Sequence, residues 1–176
     1  MIKTVVSVKR TAGTPLNASL KELKKTSIYV GIPRGSDGDV RDDGSGMLNS
    51  DLGWIHEKGS PAAGIPPRPF LEPGVESVKG KLADRMGQAI TAALKGNDAA
   101  MDAYLETAAI EAESAVKGYM HEGKFAPLSP NTIRSRNRSR GTKDKRPGEA
   151  EGTASVQPLI NTGALRDAIM AMVHKE

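Results

Sequence analysis

Clustered carboxylates are the first feature of this 176-residue chain with the chemistry to bind an ion. The glycine-rich segment 34–47 carries four of them within seven positions, at Asp37, Asp39, Asp42 and Asp43. Hard cations such as Ca²⁺ prefer clustered oxygen ligands, so the segment invites comparison with a calcium loop. That pattern requires an oxygen ligand at the fifth position, where Arg41 stands, and a bidentate acid at the twelfth, where Leu48 stands. These departures favour a solvated loop over a calcium site.

The histidines, serines and glycines form no catalytic pattern. His56-Glu57 and His121-Glu122 each lack a second histidine four residues later, so neither is the helical pair that binds zinc. Cysteine is absent, which excludes disulfides, thiol catalysis and cysteine-ligated zinc. The glycine loops that cradle phosphates and the nucleophile elbow of hydrolases are also missing from the sequence. We therefore expect no enzymatic activity, no cofactor and no bound metal.

The strongest electrostatic feature is a basic segment between residues 134 and 146. It contains one acid and seven bases, Arg134, Arg136, Arg138, Arg140, Lys143, Lys145 and Arg146. The rest of the chain carries eighteen bases and twenty acids, so the net charge of +4 arises from this segment. Guanidinium groups on a flexible tether could neutralise phosphates, but without an aromatic side chain any contact with DNA would be non-specific. A solvated loop or a contact with an acidic protein are the alternative interpretations.

The elements that would position these groups begin with two predicted strands. Alternating apolar residues predict one strand over 2–10 and another over 27–33. Between them, Thr14 and Pro15 begin a short helix with leucines along one face. Residues 34–47 follow with almost no apolar side chain, and we predict a mobile loop there.

A helix is predicted next, beginning at Asn49 or Ser50, carrying Trp54 and ending at Gly59. A proline-rich stretch follows it over 61–73. Prolines fix the backbone and remove hydrogen-bond donors, which excludes a helix interior or a central strand. The prolines concerned are Pro61, Pro66, Pro67 and Pro69. We predict a stiff, extended connector that projects as an arm.

The arm is expected to end on two apolar anchors, Phe70 and Leu71, with Pro73 in the first turn of a helix. Apolar residues three and four apart then predict a long helix with a stripe of Val75, Val78, Leu82, Met86, Ile90 and Leu94. A second long helix has a stripe of Met101, Leu105, Ala108, Ala112, Val116 and Tyr119. Gly96 ends the first helix and Asp98 caps the second, so the two should form an αα-hairpin.

The C-terminal part combines short helices with a low-complexity stretch. Ser129 caps a helix that carries Ile133 inward and soon gives way to residues 137–156, which we expect to be disordered or ordered only by a partner. Thr162 caps a single helical turn, and alternation from Ile169 onward predicts a terminal strand.

These elements predict an α+β fold in one domain over 1–176. A small mixed β-sheet from both chain ends packs with the long αα-hairpin, and flexible loops lie at about 34–47 and 137–156. With 38% apolar and 3% aromatic residues, the core should be thin and an isolated monomer weakly stable. The sequence has no apolar run of about 18 residues and no apolar signal region at its start, so we expect a cytoplasmic protein.

Three short motifs resemble the signature of the tail-completion, or head-tail joining, proteins of long-tailed bacteriophages, including virion-morphogenesis-type proteins. The first is Ile-His-Glu-x-Gly at 55–59, followed by Pro-x-Arg-Pro-Phe-Leu-x-Pro at 66–73. The second is Leu-Ser-Pro-x-Thr at 128–132. The third is Pro-Leu-x-x-Thr-Gly-x-Leu-Arg at 158–166. The motifs follow one another in the order typical of that family.

The resemblance implies a structural protein of the phage neck or upper tail. It implies several copies in a homo-oligomeric ring, with a hexamer expected, beside the tail terminator, the tail tube or the head-tail connector. The protein would be assembled in the host cytoplasm and would reside in the virion. The resemblance implies no enzymatic activity.

Our leading hypothesis is therefore a ring-forming protein that completes the tail and supports head-tail joining. Its subunit or partner contacts are assigned to Trp54, Ile55, Pro66, Pro67, Arg68, Pro69, Phe70 and Leu71. Arg68 could also pair with a buried carboxylate. The alternative is a non-specific nucleic-acid-binding protein that contacts packaged DNA through residues 134–146. A virion-associated hydrolase is disfavoured because no base, nucleophile or metal set is visible.

Overall fold

The computed structural model describes residues 14–36, 38–41, 46–143 and 157–175, with the backbone alone for 14–17 and 137–143. The predicted strand over 2–10 lies outside this range, as do Asp37, Asp42, Asp43, Lys145 and Arg146.

Within the described residues the chain forms seven α-helices and two strands. In chain order these are α1 Thr14–Lys25, β1 Thr26–Gly31, α2 Asn49–Lys58, α3 Leu71–Glu76, α4 Lys79–Leu94, α5 Asp98–Glu122, α6 Pro130–Lys143, α7 Ala164–Asp167 and β2 Met170–Lys175. The two strands pair as an antiparallel sheet. The predicted α+β class is confirmed.

The described residues fall into two compact units. The first comprises 14–29, 80–109 and 172–175, and the second comprises 30–79 and 110–171, apart from the gaps given above.

The core of the first unit is formed by the hairpin of α4 and α5. Met101 and Leu105 of α5 are buried against three alanines of α4, Ala89, Ala92 and Ala93. The α5 stripe is thus as predicted, but the α4 stripe is wrong. Its larger residues Met86, Ile90 and Leu94 are 37%, 43% and 53% exposed. Alanines at the interface let the backbones of α4 and α5 approach closely. With the alanine face of α4 toward α5, the larger side chains on the neighbouring face of α4 point outward.

Polar contacts join the helices and β2 of the first unit. The hydroxyl of Ser19 donates to the Asp98 carboxylate at 2.7 Å. The Nζ of Lys175 donates to Asp102 and to Glu22, both at 2.8 Å. These two carboxylates, Asp102 first, raise the pKa of Lys175 to about 12. The predicted cap of α5 is wrong by one residue, because it is the Oδ1 of Asn97 that accepts the N–H of Ala100.

The core of the second unit is larger and uses residues distant in sequence. Its buried members are Phe70, Val116, Met120, Leu159, Leu165 and Ile169. Val30 near the end of β1 and Ile32 just after the strand pack against it, and Leu52 packs against it from α2. The predicted inward residues of the terminal strand are confirmed, since Ile169 is buried and exposure alternates along β2.

The first predicted long helix is interrupted at residues 77 and 78. The chain instead forms α3 and then α4, and the hydroxyl of Ser77 donates to the carbonyl of Gly74 at 2.6 Å. Gly74 is buried where α3 meets α5. A Cβ at this position would lie 2.8 Å from the Cα of Val116 and 3.1 Å from its Cγ2. Only glycine allows this close approach.

Gly74→Ala is therefore expected to destabilise the protein by about 2 kcal/mol, since the overpacking against Val116 exceeds the gain in helix propensity. Chemical denaturation monitored by circular dichroism measures this loss. The matched control is Gly87→Ala inside α4, where a Cβ would meet nothing within 4 Å. That control should be slightly stabilising, and a neutral Gly74→Ala would contradict the close packing.

The helix that follows Ser129 is longer than predicted. The Oγ of Ser129 accepts the N–H of Thr132 at 3.2 Å, as expected for its cap. The helix then continues to Lys143, so the expectation of disorder is wrong for 137–143, while 144–156 lie outside the described residues. The side chain of Asn131 accepts from Arg134 one turn later, which supports the polar first part of the helix.

Candidate functional site

The proline-rich stretch folds back on itself before it extends. Ser60 and Ile65 pair as an antiparallel bridge around a short 3₁₀ turn at Pro61–Ala63. Residues 66–70 belong to no helix or strand, and the N–H of Arg68 donates to the carbonyl of His56 at 2.7 Å. The stretch is thus attached to the end of α2, and the prediction of a connector that is extended throughout is wrong.

Arg68 lies inside the second unit with 5% of its surface exposed. Its Nε donates to the carbonyl of Ala126 at 2.7 Å, and its NH2 donates to that of Pro127 at 2.8 Å. The predicted pairing with a buried carboxylate is therefore wrong. Burial lowers the pKa of Arg68. Through these bonds the first motif holds the backbone immediately before the second.

Glu57 caps the helix that carries the apolar anchors. Its Oε2 accepts the N–H groups of Phe70 at 2.8 Å and Leu71 at 3.0 Å, and its Oε1 accepts that of Glu72 at 3.4 Å. The residue at the cap position of α3 is Phe70, whose side chain has no acceptor. A carboxylate from α2 supplies the missing acceptor and places negative charge at the positive end of α3.

Glu57→Gln is expected to lower the free energy of unfolding by about 1 to 2 kcal/mol, because the amide keeps one acceptor oxygen and loses the charge. Thermal and chemical denaturation measure the change. Glu72→Gln is the control, since this neighbouring glutamate is exposed. Equal effects of the two substitutions would rule out the capping role.

Asp39 performs a similar function for α2. It is fully buried, and its Oδ1 accepts the N–H of Ser50 at 2.7 Å while its Oδ2 accepts that of Gly35 at 2.8 Å. The prediction of a solvated loop is wrong for Asp39, and so is the prediction that Asn49 or Ser50 caps the helix. Burial alone would raise the pKa of Asp39, but the bonds from Gly35 and Ser50 outweigh it and the net pKa is lowered.

These bonds also bear on the calcium hypothesis. The carboxylate of Asp39 is occupied by backbone N–H groups, and Arg41 donates to the Oδ1 of Asn49 at 3.0 Å. Across the described ranges, histidines and acids form no group with the arrangement of a metal site.

A pocket of about 290 Å³ lies within the second unit. One wall is formed by Leu52 and His56 of α2, and another by Thr132, Ser135 and Arg136 of α6. The segment 158–163 and Arg41 complete it. Each of the three motifs thus contributes residues to this one pocket, although up to about a hundred positions of sequence separate them.

Arg136 fixes the segment that forms the third wall. Its NH1 donates to the carbonyls of Gln157 at 2.8 Å and Ile160 at 3.3 Å, and its NH2 donates to that of Pro158 at 3.1 Å. This side chain, predicted to contact DNA or an acidic partner, therefore lines a pocket and holds the chain around it. Arg134 is exposed. Arg138, Arg140 and Lys143 lie on the helical backbone of α6, and their side chains are outside the described part.

His56 is the group whose protonation the pocket perturbs most. Burial, followed by the positive charges of Arg68, Arg136 and Arg41, lowers its pKa to about 4. Its Nδ1 is buried and has no hydrogen-bond partner in the described structure. The imidazole is therefore neutral near pH 7, and the basic character of the pocket is carried by the guanidinium groups.

Because the pKa of His56 is lowered in the folded state, the free energy of unfolding should decrease at acid pH. In the unfolded chain the His56 imidazole has a pKa near 6.5 and is protonated below that pH, whereas in the folded state it stays neutral down to about pH 4. The contribution of neutral His56 to stability is therefore complete above pH 6.5 and is lost as the pH falls toward 4. From about pH 7 to about pH 5 the expected loss is about 2 kcal/mol. Denaturation curves at both pH values measure it, and His56→Gln should remove that part of the loss.

The residues predicted to contact a neighbour separate into three groups by exposure. Trp54 is 66% exposed, with the Nζ of Lys58 5.9 Å from the centre of its ring, and Pro66, Pro67 and Pro69 are also exposed. Arg68 and Phe70 are buried and unavailable at the surface. Ile55 and Leu71 are half-buried, the latter against the core.

Comparison with protein-family models, with curated proteins and with solved structures finds no match. Among the residues described, no helix has both the length and the apolar character needed to cross a membrane.

Proposed function

We propose that this chain is a structural protein of a phage neck or upper tail that assembles into a homo-oligomeric ring, completes the tail and supports head-tail joining. The observation that carries the proposal is apolar surface without a partner. Trp54 and Ile110 are 66% and 65% exposed in the second unit, and α4 exposes Met86, Ile90 and Leu94 along one face in the first. Large apolar side chains in such numbers mark surfaces that other proteins cover.

The interior supports the same proposal. The core of the first unit is built mainly from alanines, which bury little area and contribute correspondingly little to stability. A subunit of this kind gains stability from neighbours by mass action. The proposed neighbours are other copies of the chain and, at the ends of the ring, the tail terminator, the tail tube or the head-tail connector.

The motifs that resemble those of tail-completion proteins have coherent structural roles. Glu57 of the first motif caps α3, Arg68 holds the backbone before the second motif, and all three motifs meet at one pocket. They form one folded unit around a common centre, which favours the resemblance over a chance match of short patterns. No observation in the described structure gives similar support to the nucleic-acid alternative.

The experiment that tests the proposal is light scattering of the purified protein over a range of concentration and salt, followed by electron microscopy of any large species. Closed rings that bind to the ends of purified, incomplete phage tails are the expected result. A protein that stays monomeric and ignores tail ends would refute the proposal. Salt-sensitive binding to DNA without ring formation would favour the alternative.

A surface variant locates the contact. Trp54→Ser should weaken association about thirtyfold, the effect of one buried aromatic anchor at an interface. Tyr29→Ser is the matched control, because Tyr29 is 56% exposed but lies edge-on to His174, 6.0 Å between ring centres. If both variants associate normally while retaining their circular dichroism, Trp54 does not contact a subunit.

A further inference from the structure

The pocket of the second unit has the chemistry of an anion site. Its polar lining includes two guanidinium groups, an imidazole and several hydroxyl and amide groups, among them Arg41, Arg136, His56, Thr132, Ser135 and Asn161. No aspartate or glutamate is among the described residues that line it. A cavity with this excess of positive charge and of donors favours a negatively charged occupant.

We propose that this pocket binds a carboxylate, presented on a short apolar stem by an acidic side chain of a protein partner. The apolar part of the lining consists of Leu52, Leu159 and Leu165 with Pro158. Methylene groups of a glutamate would contact these side chains while its carboxylate faces the guanidinium groups. The mixed lining thus fits a side chain better than it fits a small inorganic ion.

The pocket is less suited to nucleic acid. A phosphodiester continues as a chain on both sides of its charge and needs an open groove, whereas this cavity of about 290 Å³ is bounded by α2, α6 and the segment 158–163. Its described lining contains no tryptophan, tyrosine or phenylalanine on which a base could stack. The size matches a single side chain together with part of its backbone.

The positive charges are fixed before any ligand arrives. Arg136 is held by three carbonyls of the segment 157–160, and Arg41 by the amide oxygen of Asn49. Groups fixed in this way lose little conformational entropy on binding. The ring Nδ1 of His56 has no hydrogen-bond partner among the described residues, and a carboxylate nearby would stabilise the protonated imidazole.

The inference goes beyond the assembly role and does not depend on a ring, because one chain contains the whole pocket. It can therefore fail while the proposed function stands, and it can hold in a protein that remains monomeric.

The test is a nuclear magnetic resonance titration of the full chain with N-acetylglutamate N-methylamide, which carries one carboxylate. The matched probe is N-acetylglutamine N-methylamide, which has the same shape without the charge. We expect saturable shifts of the His56 ring signals with the glutamate probe alone, and a rise in the pKa of His56 by about one pH unit. The ring signals of His56 are identified among those of the three histidines by their absence from the spectrum of His56→Gln. Absence of binding, or equal binding of both probes, would overturn the proposal.

A pair of arginine variants tests the location. Arg41→Gln should weaken binding of the glutamate probe about tenfold, as expected for one charge-assisted hydrogen bond. Arg34→Gln is the control, since Arg34 lies outside this pocket, 73% exposed and 3.6 Å from Asp51. Equal binding by both folded variants would refute the site. Inorganic phosphate and an oligothymidylate serve as further probes, and tighter binding of either one than of the glutamate probe would show that the carboxylate assignment is wrong.

Discussion

Replacing Gly59 with alanine is expected to lower the free energy of unfolding by about 4 kcal/mol. Gly59 ends α2 with φ 76° and ψ 175°, a region that residues with a Cβ rarely adopt. A Cβ there would also lie 2.9 Å from the carbonyl oxygen of Ile65 and 2.9 Å from the nitrogen of Pro67. Both obstacles are backbone atoms of the folded proline stretch, so neither can move aside.

Gly64→Ala is the comparison for that loss, because Gly64 has ψ 25° and so lies in the left-handed helical region, which costs a residue with a Cβ less than the region of Gly59. Gly64 also has a positive φ, 63°, but a Cβ there would meet nothing within 4 Å. Its replacement should cost about 1 kcal/mol, the strain of the left-handed conformation alone. Denaturant unfolding of the two variants and the parent gives the comparison. Equal losses would show that the close approach of residues 65–67 to Gly59 is not a source of stability.

The second large effect is expected for Arg68→Met, which should destabilise the protein by about 3 kcal/mol. The substitution keeps most of the apolar stem but leaves the carbonyls of Ala126 and Pro127 without the guanidinium that now donates to them. Hydrogen bonds from a charged donor are stronger than neutral ones, and the substitution removes two of them at once. Chemical denaturation measures the loss.

The control for Arg68 is Arg134→Met, which removes an exposed guanidinium whose described partner, Asn131, is one turn away in the same helix. Its effect should stay within about 0.5 kcal/mol. If the two variants were equally stable, the bonds from Arg68 would contribute nothing beyond a surface contact. If Arg68→Met is strongly destabilised, Arg68→Lys provides a further test. A large loss of stability in Arg68→Lys as well would show that the forked guanidinium is needed and that a positive charge alone is insufficient.

Elements in which the spacing of apolar residues matches the buried face were predicted correctly from the sequence. The stripe of α5 from Met101 to Val116 and the alternation of β2 are read directly from the positions of apolar residues. Each of these elements presents one face to a core, so spacing along the chain is sufficient. The α+β class followed from the same signals.

The stripe of α4 shows where periodicity is ambiguous. Both the large residues Met86, Ile90 and Leu94 and the alanines Ala89, Ala92 and Ala93 recur at helical spacing. Hydrophobicity alone selects the larger set, but the close contact with α5 is made by the smaller one. Periodicity does not reveal which of two such faces the neighbouring helix covers.

The candidate site was beyond sequence reasoning for a different reason. Glu57 accepts the N–H of Leu71, fourteen residues later, and Asp39 accepts the N–H of Ser50, eleven residues later. The pocket unites residues from positions 41 to 165. The three motifs drew attention to segments that all contribute to the pocket, but nothing in the sequence indicated their contacts. Local sequence patterns such as capping boxes and helix faces involve residues three or four positions apart, so they do not predict contacts between residues distant in sequence.

The hydrogen bonds from Arg136 to residues 157–160 are part of a set of non-covalent contacts that hold the C-terminal stretch on the rest of the second unit. The stretch from 157 to 171 is also held by Leu159, Leu165 and Ile169 in the core and by Glu113, whose Oε2 accepts the N–H of Ala171 at 2.9 Å. Its attachment therefore does not rely on the peptide link through residues 144–156. We therefore expect a chain cut in that interval to retain its C-terminal piece as a non-covalent partner.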